Sequence, residues 1–183
     1  MEIFFEGIAL RPWALNDAPQ LAAIADNKKI TDNLRDGLPS PYTLRDAQDW
    51  INLILPENIP PRFFAIVFNN QIVGSIGIVS KDNIYRKNFE IGFFMSQNFR
   101  GKGIITRAIK AAVSYSFSNF DILRVYAEVF SDNIASRRAL EKAGLKLEAT
   151  IHKNIIKNEV IKDSCIYSVL REDYIKQNID VRL

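Results

Sequence analysis

Hydrophobic and polar positions change their spacing several times along the chain, and each change predicts a different element. Short runs rich in β-branched and aromatic residues are typical of strands. These runs are residues 3–11, 62–68, 72–79, 88–96, 122–130, 145–152 and 160–170. The turn at residues 69–71 predicts a hairpin between the second and third runs, and the last two runs predict a closing hairpin.

Two segments near the start of the chain have the spacing of amphipathic helices instead. Asn16 or Asp17 can cap the first of them, which runs to about Asn27. Thr43 can cap the second, which Pro56 closes. The segment between these helices holds glycine, serine and two prolines, so it is predicted to be an ordered loop.

Two more helices are predicted in the second half of the chain. An apolar stripe with spacing i, i+3, i+4, i+7 and i+8 predicts the first. The stripe consists of Ile105, Ala108, Ile109, Ala112 and Val113. The other begins at residues 131–133 and runs to Lys142, and Gly144 follows where a left-handed C-terminal cap belongs. The order of elements predicts an α/β fold with a mixed sheet and helices on both faces.

Composition fits a single globular domain over residues 1–183. The hydrophobic content is 48% and the charged content 25%, and no repeat or linker interrupts the pattern. The net charge of +3 is too small to indicate a nucleic-acid-binding protein, which would carry a dense basic stripe. It is compatible with a small anionic ligand held locally.

Cysteine and histidine are too scarce to build a stapled or metal-binding domain. Cys165 is the one cysteine and His152 the one histidine, so neither a disulfide nor a zinc cluster is expected. The first ten residues lack the basic start and cleavage site of a signal peptide, and no apolar run reaches the ~20 residues of a membrane span. We therefore expect a soluble, cytoplasmic protein without a metal or a membrane partner.

The stretch FRGKGIITRAIK places two glycines between basic residues at the start of a predicted helix. The first amides of a helix lack internal partners and form its positive end, so they favour an anion such as phosphate. Gly101 and Gly103 allow close approach, and Arg100, Lys102 and Arg107 supply charge. The stretch matches neither a Walker loop nor a dinucleotide fingerprint. A solvated basic turn is the alternative.

Asn133-x-x-Ser136 follows this loop about thirty residues later, and residues 141–145 then read EKAGL. With these motifs in this order, the chain resembles the GCN5-related N-acetyltransferase (GNAT) superfamily, and more closely its RimJ/RimL-like branch. Founding members of that branch acetylate ribosomal-protein N-termini. The resemblance covers nearly the whole chain. It implies a GNAT fold, whose mostly antiparallel sheet is splayed between the fourth and fifth strands.

The resemblance also implies acetyl-coenzyme A as a cosubstrate. Its pyrophosphate is expected on the residues of the glycine loop, which are Arg100, Gly101, Lys102, Gly103, Ile104, Ile105 and Thr106. Its pantetheine arm is expected in the splayed gap, against Ile91, Gly92 and Phe93. Asn133 matches the family residue that bonds this arm, and Ser136 the residue close to the sulfur. Ile105 departs from the family, since many members place glycine or alanine there.

Acetyl transfer needs a neutral amine, so the site is expected to hold a proton acceptor. Neutrality at pH 7 costs about 1 kcal/mol for an α-amine and about 5 kcal/mol for a lysine. Glu90 is the candidate base, because histone-acetylating relatives carry a strand glutamate at a similar distance before the loop, and Glu128 is its rival. Leu140 stands where many relatives have the tyrosine that protonates the thiolate, so Ser136 is the candidate for that role.

The acceptor is expected between the first two helices, their loop and the turn at residues 154–162. Arg35 and Asp36 are candidates to bind a charged acceptor, with Tyr42 and Phe93 as walls. Ordinary turn chemistry is the alternative explanation of the pair Asp36-Gly37.

These inferences together predict an acetyl-CoA-dependent N-acetyltransferase, foremost for a protein N-terminal α-amine. A small-molecule acetyltransferase for polyamines or antibiotics is the alternative, followed by a non-catalytic CoA-binding module. A nucleic-acid adaptor has the least support, and no direct nucleic-acid binding is expected. Either a monomer or a homodimer is compatible with the sequence.

Overall fold

A computed structural model of the chain describes residues 2–55 and 60–179. Its strands are β1 (Ile3–Phe5), β2 (Ile8–Pro12), β3 (Phe63–Phe68), β4 (Gln71–Ser80), β5 (Asn88–Met95), β6 (Arg124–Phe130), β7 (Lys146–Lys157) and β8 (Val160–Leu170). They form an eight-stranded sheet in the order β1-β2-β3-β4-β5-β6-β8-β7. The pair β5–β6 is parallel, and the other neighbours are antiparallel. The predicted mixed sheet is confirmed.

Helices cover both faces of the sheet, as predicted. They are α1 (Ala18–Ala25), α2 (Lys28–Thr31), α3 (Leu44–Ile54), α4 (Ile104–Asn119), α5 (Ile134–Lys142) and α6 (Arg171–Ile179). Neighbouring residues of β3 point to opposite faces. Phe64 and Ile66 therefore join the core beneath α4, whereas Ala65 joins the core beneath α1 and α3. None of these helices is both long and apolar enough to cross a membrane.

The predicted first strand is wrong, because it is a hairpin of two strands. Glu6 and Gly7 have φ angles of +45° and +82°, and Phe5 pairs directly with Ile8 across them. Two successive left-handed residues are what a tight two-residue hairpin requires. Glutamate seldom adopts this conformation, which is why the turn went unrecognised.

Helix α1 is shorter than predicted and its cap is different. It ends at Ala25 rather than near Asn27, and a 3-10 turn precedes it. Asp17 occupies the N-cap position, but its carboxylate makes no capping bond. Instead it accepts hydrogen bonds from Arg11 at 2.7 Å and from the amide of Ala14 at 2.8 Å. The carboxylate therefore ties the end of β2 to the start of the helix.

Most other element ends lie close to the predictions, but β7 continues past residue 152 to Lys157, so the turn predicted at residues 154–162 is wrong and consists of residues 158 and 159. Thr43 caps α3, and its hydroxyl accepts the amide of Asp46 at 3.3 Å. The predicted loop at residues 28–42 contains the short helix α2, and α6 was not predicted at all. The predicted stop at Pro56 lies outside the described residues.

The predicted splay is confirmed between β5 and β6. Residues 88–90 pair with residues 124–126, and the pairing of the two strands ends there. Strand β6 continues against β8 as far as Phe130, and β5 continues against β4 as far as Met95. A gap therefore opens in the sheet directly after Glu90.

Helix α4 packs beside this gap and is held at both ends. Ile104 is fully buried, whereas Ile105 is half-buried, so the predicted stripe begins one residue too late. The guanidinium of Arg171 donates to the carbonyl oxygens of Phe117, Phe120 and Ile122 at 2.6–2.9 Å. These bonds satisfy carbonyl groups at the helix end that have no helical partner.

Candidate active site

A cavity of about 970 Å³ lies where β5 and β6 separate. The loop before α4, the first turns of α4 and α5, β7 and residues 29–38 complete its walls. The predicted site residues that line it are Arg35, Asp36, Glu90, Ile91, Gly92, Phe93, Arg100, Gly101, Gly103, Ile105, Thr106, Asn133 and Ser136. The fold thus gathers nearly all candidates around one space, although they are spread over about a hundred residues of sequence.

Three predicted site residues do not line this cavity. Lys102 is exposed, and its Nζ lies 5.3 Å from the ring centre of Phe99. Ile104 is fully buried in the core, so its side chain is not available to the cavity. Tyr42 is buried beside a smaller adjoining pocket of about 420 Å³, which it lines with Trp50 and other residues.

The glycine loop presents backbone amides at the start of α4. Gly101 and Gly103 have φ angles of +79° and +69°, which glycine adopts without strain. A Cβ at either position would meet no atom within 4 Å, so the space in front of the loop is open. The first helical bond runs from the amide of Arg107 to the carbonyl of Gly103 at 3.1 Å. The amides of residues 104–106 precede that bond and lie at the positive end of the helix.

Arg107 fixes the loop instead of lining the cavity. Its guanidinium donates to the carbonyl oxygens of Lys102 at 3.1 Å, Gly103 at 3.4 Å and Glu6 at 2.5 Å. The positive charge of Arg107, which was expected to attract an anion, is therefore directed to backbone carbonyl groups. Because the same guanidinium bonds carbonyl groups of the glycine loop and of Glu6, it ties the loop to the β1–β2 turn.

Asn133 caps α5 and orients its first turn. Its Oδ1 accepts the amide of Ser136 at 3.2 Å. Since Oδ1 serves as the cap, Nδ2 is the donor that Asn133 can offer another partner. Both side chains reach the cavity from the end of β6.

Glu90 is a buried carboxylate held by two cations. Its Oε1 accepts Nη2 of Arg35 at 2.6 Å, and its Oε2 accepts Nζ of Lys81 at 2.5 Å and the hydroxyl of Tyr126 at 3.3 Å. The residue is 7% exposed. Burial favours the neutral carboxyl, but the bonds from Lys81 and Arg35 outweigh it, and the pKa of Glu90 is lowered.

Glu128 lies across the gap and shares the same arginine. Its Oε2 accepts Nη2 of Arg35 at 2.8 Å, while its Oε1 accepts the hydroxyl of Ser164 at 2.7 Å and Nδ2 of Asn154 at 3.4 Å. One guanidinium nitrogen therefore bridges carboxylates on the two separated strands. Among residues 2–55 and 60–179, no group of three or more His, Cys, Asp or Glu is placed to hold a metal ion.

The loop that carries Arg35 is anchored on both sides of this residue. Nζ of Lys157 donates to Asp36 at 2.5 Å, and Nδ2 of Asn158 donates to Asp32 at 2.8 Å. Both partners belong to the end of the β7–β8 hairpin. The loop thus forms part of one wall of the cavity and is held there by the β7–β8 hairpin.

Lys81, Tyr126 and Ser164 were missed by sequence reasoning. Lys81 lies two residues beyond Val79, which pairs with Glu90, so the β4–β5 register would have indicated it. Tyr126 pairs with Glu90 in the parallel register of β5 and β6. These contacts depend on strand register, which short motifs do not reveal.

A comparison with protein families finds one model that matches most of the chain. Its description is acetyltransferase (GNAT) domain, and it matches residues 8–146. The matched region runs from β2 into the first residue of β7, so it contains both the glycine loop and the two carboxylates.

Individual relatives agree with the family match. The probable N-acetyltransferase YjcK of Bacillus subtilis is 37% identical over 101 residues, which are 54% of this chain and 56% of YjcK. This match therefore spans about half the length of that relative.

Solved structures share the fold over nearly the whole chain. RimL, a ribosomal L7/L12 α-N-protein acetyltransferase in complex with coenzyme A, has a TM-score of 0.83 at 19% identity, with 94% of this chain and 99% of that chain covered. Spermidine N-acetyltransferase from Vibrio cholerae, in complex with CoA and spermine, has a TM-score of 0.78 at 19% identity, with coverages of 92% and 98%. At these identities the likeness shows the fold.

We predict that Glu90 stabilises the fold at neutral pH and that this stabilisation is lost at acidic pH. A carboxyl with a lowered folded pKa contributes stability above its unfolded pKa of about 4.3 and loses it as pH falls through the folded pKa. Urea unfolding of the wild type and of Glu90→Gln, from about pH 7 to about pH 3, should therefore show a wild-type advantage that shrinks below about pH 4.

Glu172→Gln is the control, because it removes an exposed carboxylate outside the cavity. It should change the free energy of unfolding at neutral pH by less than about 0.5 kcal/mol. A wild-type advantage over Glu90→Gln that stays constant down to the lowest pH would contradict the prediction.

Proposed function

Because the chain belongs to the GNAT family of acetyltransferases, we propose that it transfers an acetyl group from acetyl-coenzyme A to the α-amine of a protein N-terminus. N-acetyltransferase activity follows from the family. The choice of acceptor rests on one observation, which is the state of the Glu90 carboxylate between Arg35 and Lys81.

A carboxylate with a lowered pKa is a weak proton acceptor, so it suits an amine that is already close to neutral. At pH 7 an α-amine needs about 1 kcal/mol to lose its proton, whereas a lysine-like amine needs about 5 kcal/mol. Lys81 and Arg35 hold the pKa of Glu90 down, so this carboxylate has little driving force to take a proton from a lysine-like amine. The site therefore favours an α-amine over the amines of lysine or of a polyamine.

The charges around the carboxylates support the same choice. Arg35, Lys81 and Lys157 pair with Glu90, Glu128 and Asp36, so cations and anions balance. A polyamine carries several positive charges and would be recognised by an excess of acid. Relatives of both kinds share the fold, so fold likeness does not choose between them.

The smaller pocket offers room for more than an amine. It shares Leu38, Trp50 and Phe94 with the main cavity, so the two spaces adjoin. A peptide extends beyond its terminal amine and brings a side chain with it. In this proposal Tyr42 contacts the acceptor from the smaller pocket, and Asp36 and Phe93 contact it from the main cavity.

The donor fits the opposite side of the cavity. Acetyl-coenzyme A supplies an acetyl group activated as a thioester. Its diphosphate is assigned to the amides of residues 101–106, with Arg100 and Lys102 as nearby cations. The edge of β5 at residues 91–93 pairs with no strand on the β6 side within the described chain, so it can hold the pantetheine amides as an added strand.

In this proposal one carboxylate accepts the proton of the amine, and two other side chains bond the donor. Glu90, directly or through water, accepts the proton of the amine, and Glu128 is the alternative acceptor. Ser136 donates a hydrogen bond to the departing thiolate, since it lies on the first turn of α5 at the cavity. Asn133 offers its Nδ2 to the pantetheine arm.

Gly103→Ala should weaken acetyl-CoA binding by at least about tenfold, or about 1.4 kcal/mol. An added Cβ would occupy the open space in front of the loop, where the diphosphate is assigned. Isothermal titration calorimetry with acetyl-CoA measures the affinity, and thermal unfolding with and without acetyl-CoA provides an independent check.

Gly144→Ala is the matched control, because Gly144 also has a left-handed φ of +93° but caps α5 outside the cavity. Both variants should lose about 1 kcal/mol of stability from backbone strain. Equal acetyl-CoA affinity in the wild type and both variants would show that the diphosphate does not bind at this loop.

The acceptor class is tested with three substrates at equal concentration. These are a peptide with a free N-terminus, the same peptide with a blocked N-terminus and an internal lysine, and spermidine. We expect kcat/KM for the first to exceed the other two by at least about tenfold, because its amine is easiest to neutralise. Thiol release measures the rate, and mass spectrometry locates the acetyl group.

A higher kcat/KM for spermidine than for the peptides would show that the acceptor is a small amine and not a protein N-terminus. No turnover of any amine, together with tight acetyl-CoA binding, would indicate the non-catalytic CoA-binding module.

The catalytic assignments are tested with the acceptor that the first assay identifies. Glu90→Gln should lower kcat by roughly 10²-fold if Glu90 takes the proton, and Glu128→Gln should do so if its rival does. Ser136→Ala should lower kcat by about tenfold or more through loss of a bond to the thiolate.

Ser118→Ala and Glu172→Gln are controls, since both residues are exposed and lie outside the cavity lining. They should leave kcat unchanged. If Glu90→Gln and Glu128→Gln both keep full activity, neither carboxylate is the base.

A further inference from the structure

Arg35 places one guanidinium nitrogen between two carboxylates that belong to different strands. Its Nη2 lies 2.6 Å from Oε1 of Glu90 and 2.8 Å from Oε2 of Glu128. Glu90 is the last residue of β5 that pairs with β6, and Glu128 lies on β6 two residues beyond the end of that pairing. The contact therefore spans the gap at its narrow end.

The arginine reaches this position from the solvent side. Its side chain is 64% exposed, whereas that of Glu90 is 9% exposed. It is carried by a loop, and the bonds of Asp32 and Asp36 to the β7–β8 hairpin hold that loop independently of the guanidinium. The side chain can therefore swing out by rotation about its own bonds while the loop stays in place.

When Arg35 moves away, the two carboxylates lack one positive charge to balance them. Glu90 keeps Lys81 as a partner, and the partners of Glu128 other than Arg35 are the neutral Ser164 and Asn154. Two negative charges and one positive charge leave a net charge of −1. A primary ammonium carries one positive charge and three N–H donors, so it can make the same pair of charge-assisted bonds as the guanidinium nitrogen.

We propose that Glu90 and Glu128 form the subsite for the ammonium group of the acceptor, and that Arg35 occupies this subsite until the acceptor displaces it. The identity of the acceptor rests on the proposed function, but the cation subsite and its internal occupant do not. Since only the conformers with Arg35 displaced can bind the amine, the apparent affinity for the acceptor is reduced by their fraction.

The subsite is tested without any acetyl transfer. n-Butylammonium is titrated into the protein in the absence of acetyl-CoA, and the side-chain carboxyl ¹³C resonances of Glu90 and Glu128 report binding. The proteins are the wild type, Arg35→Gln, Arg35→Lys and Arg45→Gln. Arg45 is the matched control, since it is an arginine with an 89% exposed side chain outside the cavity.

We expect Arg35→Gln to bind n-butylammonium about tenfold more tightly than the wild type, because the internal competitor is gone. Arg45→Gln should match the wild type. Arg35→Lys retains a cation on the loop and should bind more weakly than Arg35→Gln. Equal or weaker binding by Arg35→Gln, or no shift of either carboxyl resonance in any of the proteins, would overturn the proposal.

Steady-state kinetics give a second readout once an acceptor is known. Arg35→Gln should lower the acceptor KM several-fold, since the competitor affects binding. A raised KM would show that Arg35 helps to bind the acceptor, which overturns the proposal. Failure of the peptide assay alongside tighter n-butylammonium binding would reject the acceptor class and retain the subsite.

Discussion

The pairing between β5 and β6 stops after three residue pairs, and the whole site depends on that stop. A buried strand edge must find partners for its amides and carbonyls. Where the two strands diverge, the edge of β5 that faces β6 has no strand partner within the described chain, and the cavity occupies the space between the two strands. Glu90 and Glu128 face each other across the narrow end of that space. The sheet therefore supplies both a binding edge and a pair of carboxylates.

The glycine loop brings the positive end of a helix to this gap. Gly101 and Gly103 turn the chain through left-handed conformations, so that the first amides of α4 open toward the cavity. Burial of Ile104 fixes where the helix begins, and Arg107 holds the loop carbonyls away from the amides. The positive end of α4 and the two carboxylates thus line one cavity, which suits an anionic group near the first and a cationic group near the second.

Local signals predicted the parts of this arrangement that local sequence controls. The β3–β4 hairpin at residues 69–70, the start of α5 after residues 131–133 and the left-handed Gly144 all follow from short-range turn and cap chemistry. The Arg35 bridge could not be predicted, because Arg35 and Glu128 are separated by 93 residues and meet only when the sheet has formed. The Glu6–Gly7 turn was missed because its first residue is a glutamate, which seldom adopts the left-handed conformation that it has here.

Helix α4 is anchored by Arg107 at one end and by Arg171 at the other. Arg171 begins α6, so the helix that follows β8 is joined mechanically to the loop assigned to the donor. Arg107 ties the other end of α4 to the turn between β1 and β2. The first hairpin and the last helix of the fold are therefore fastened to the two ends of one rigid element, so a shift of α4 along its axis would strain both attachments.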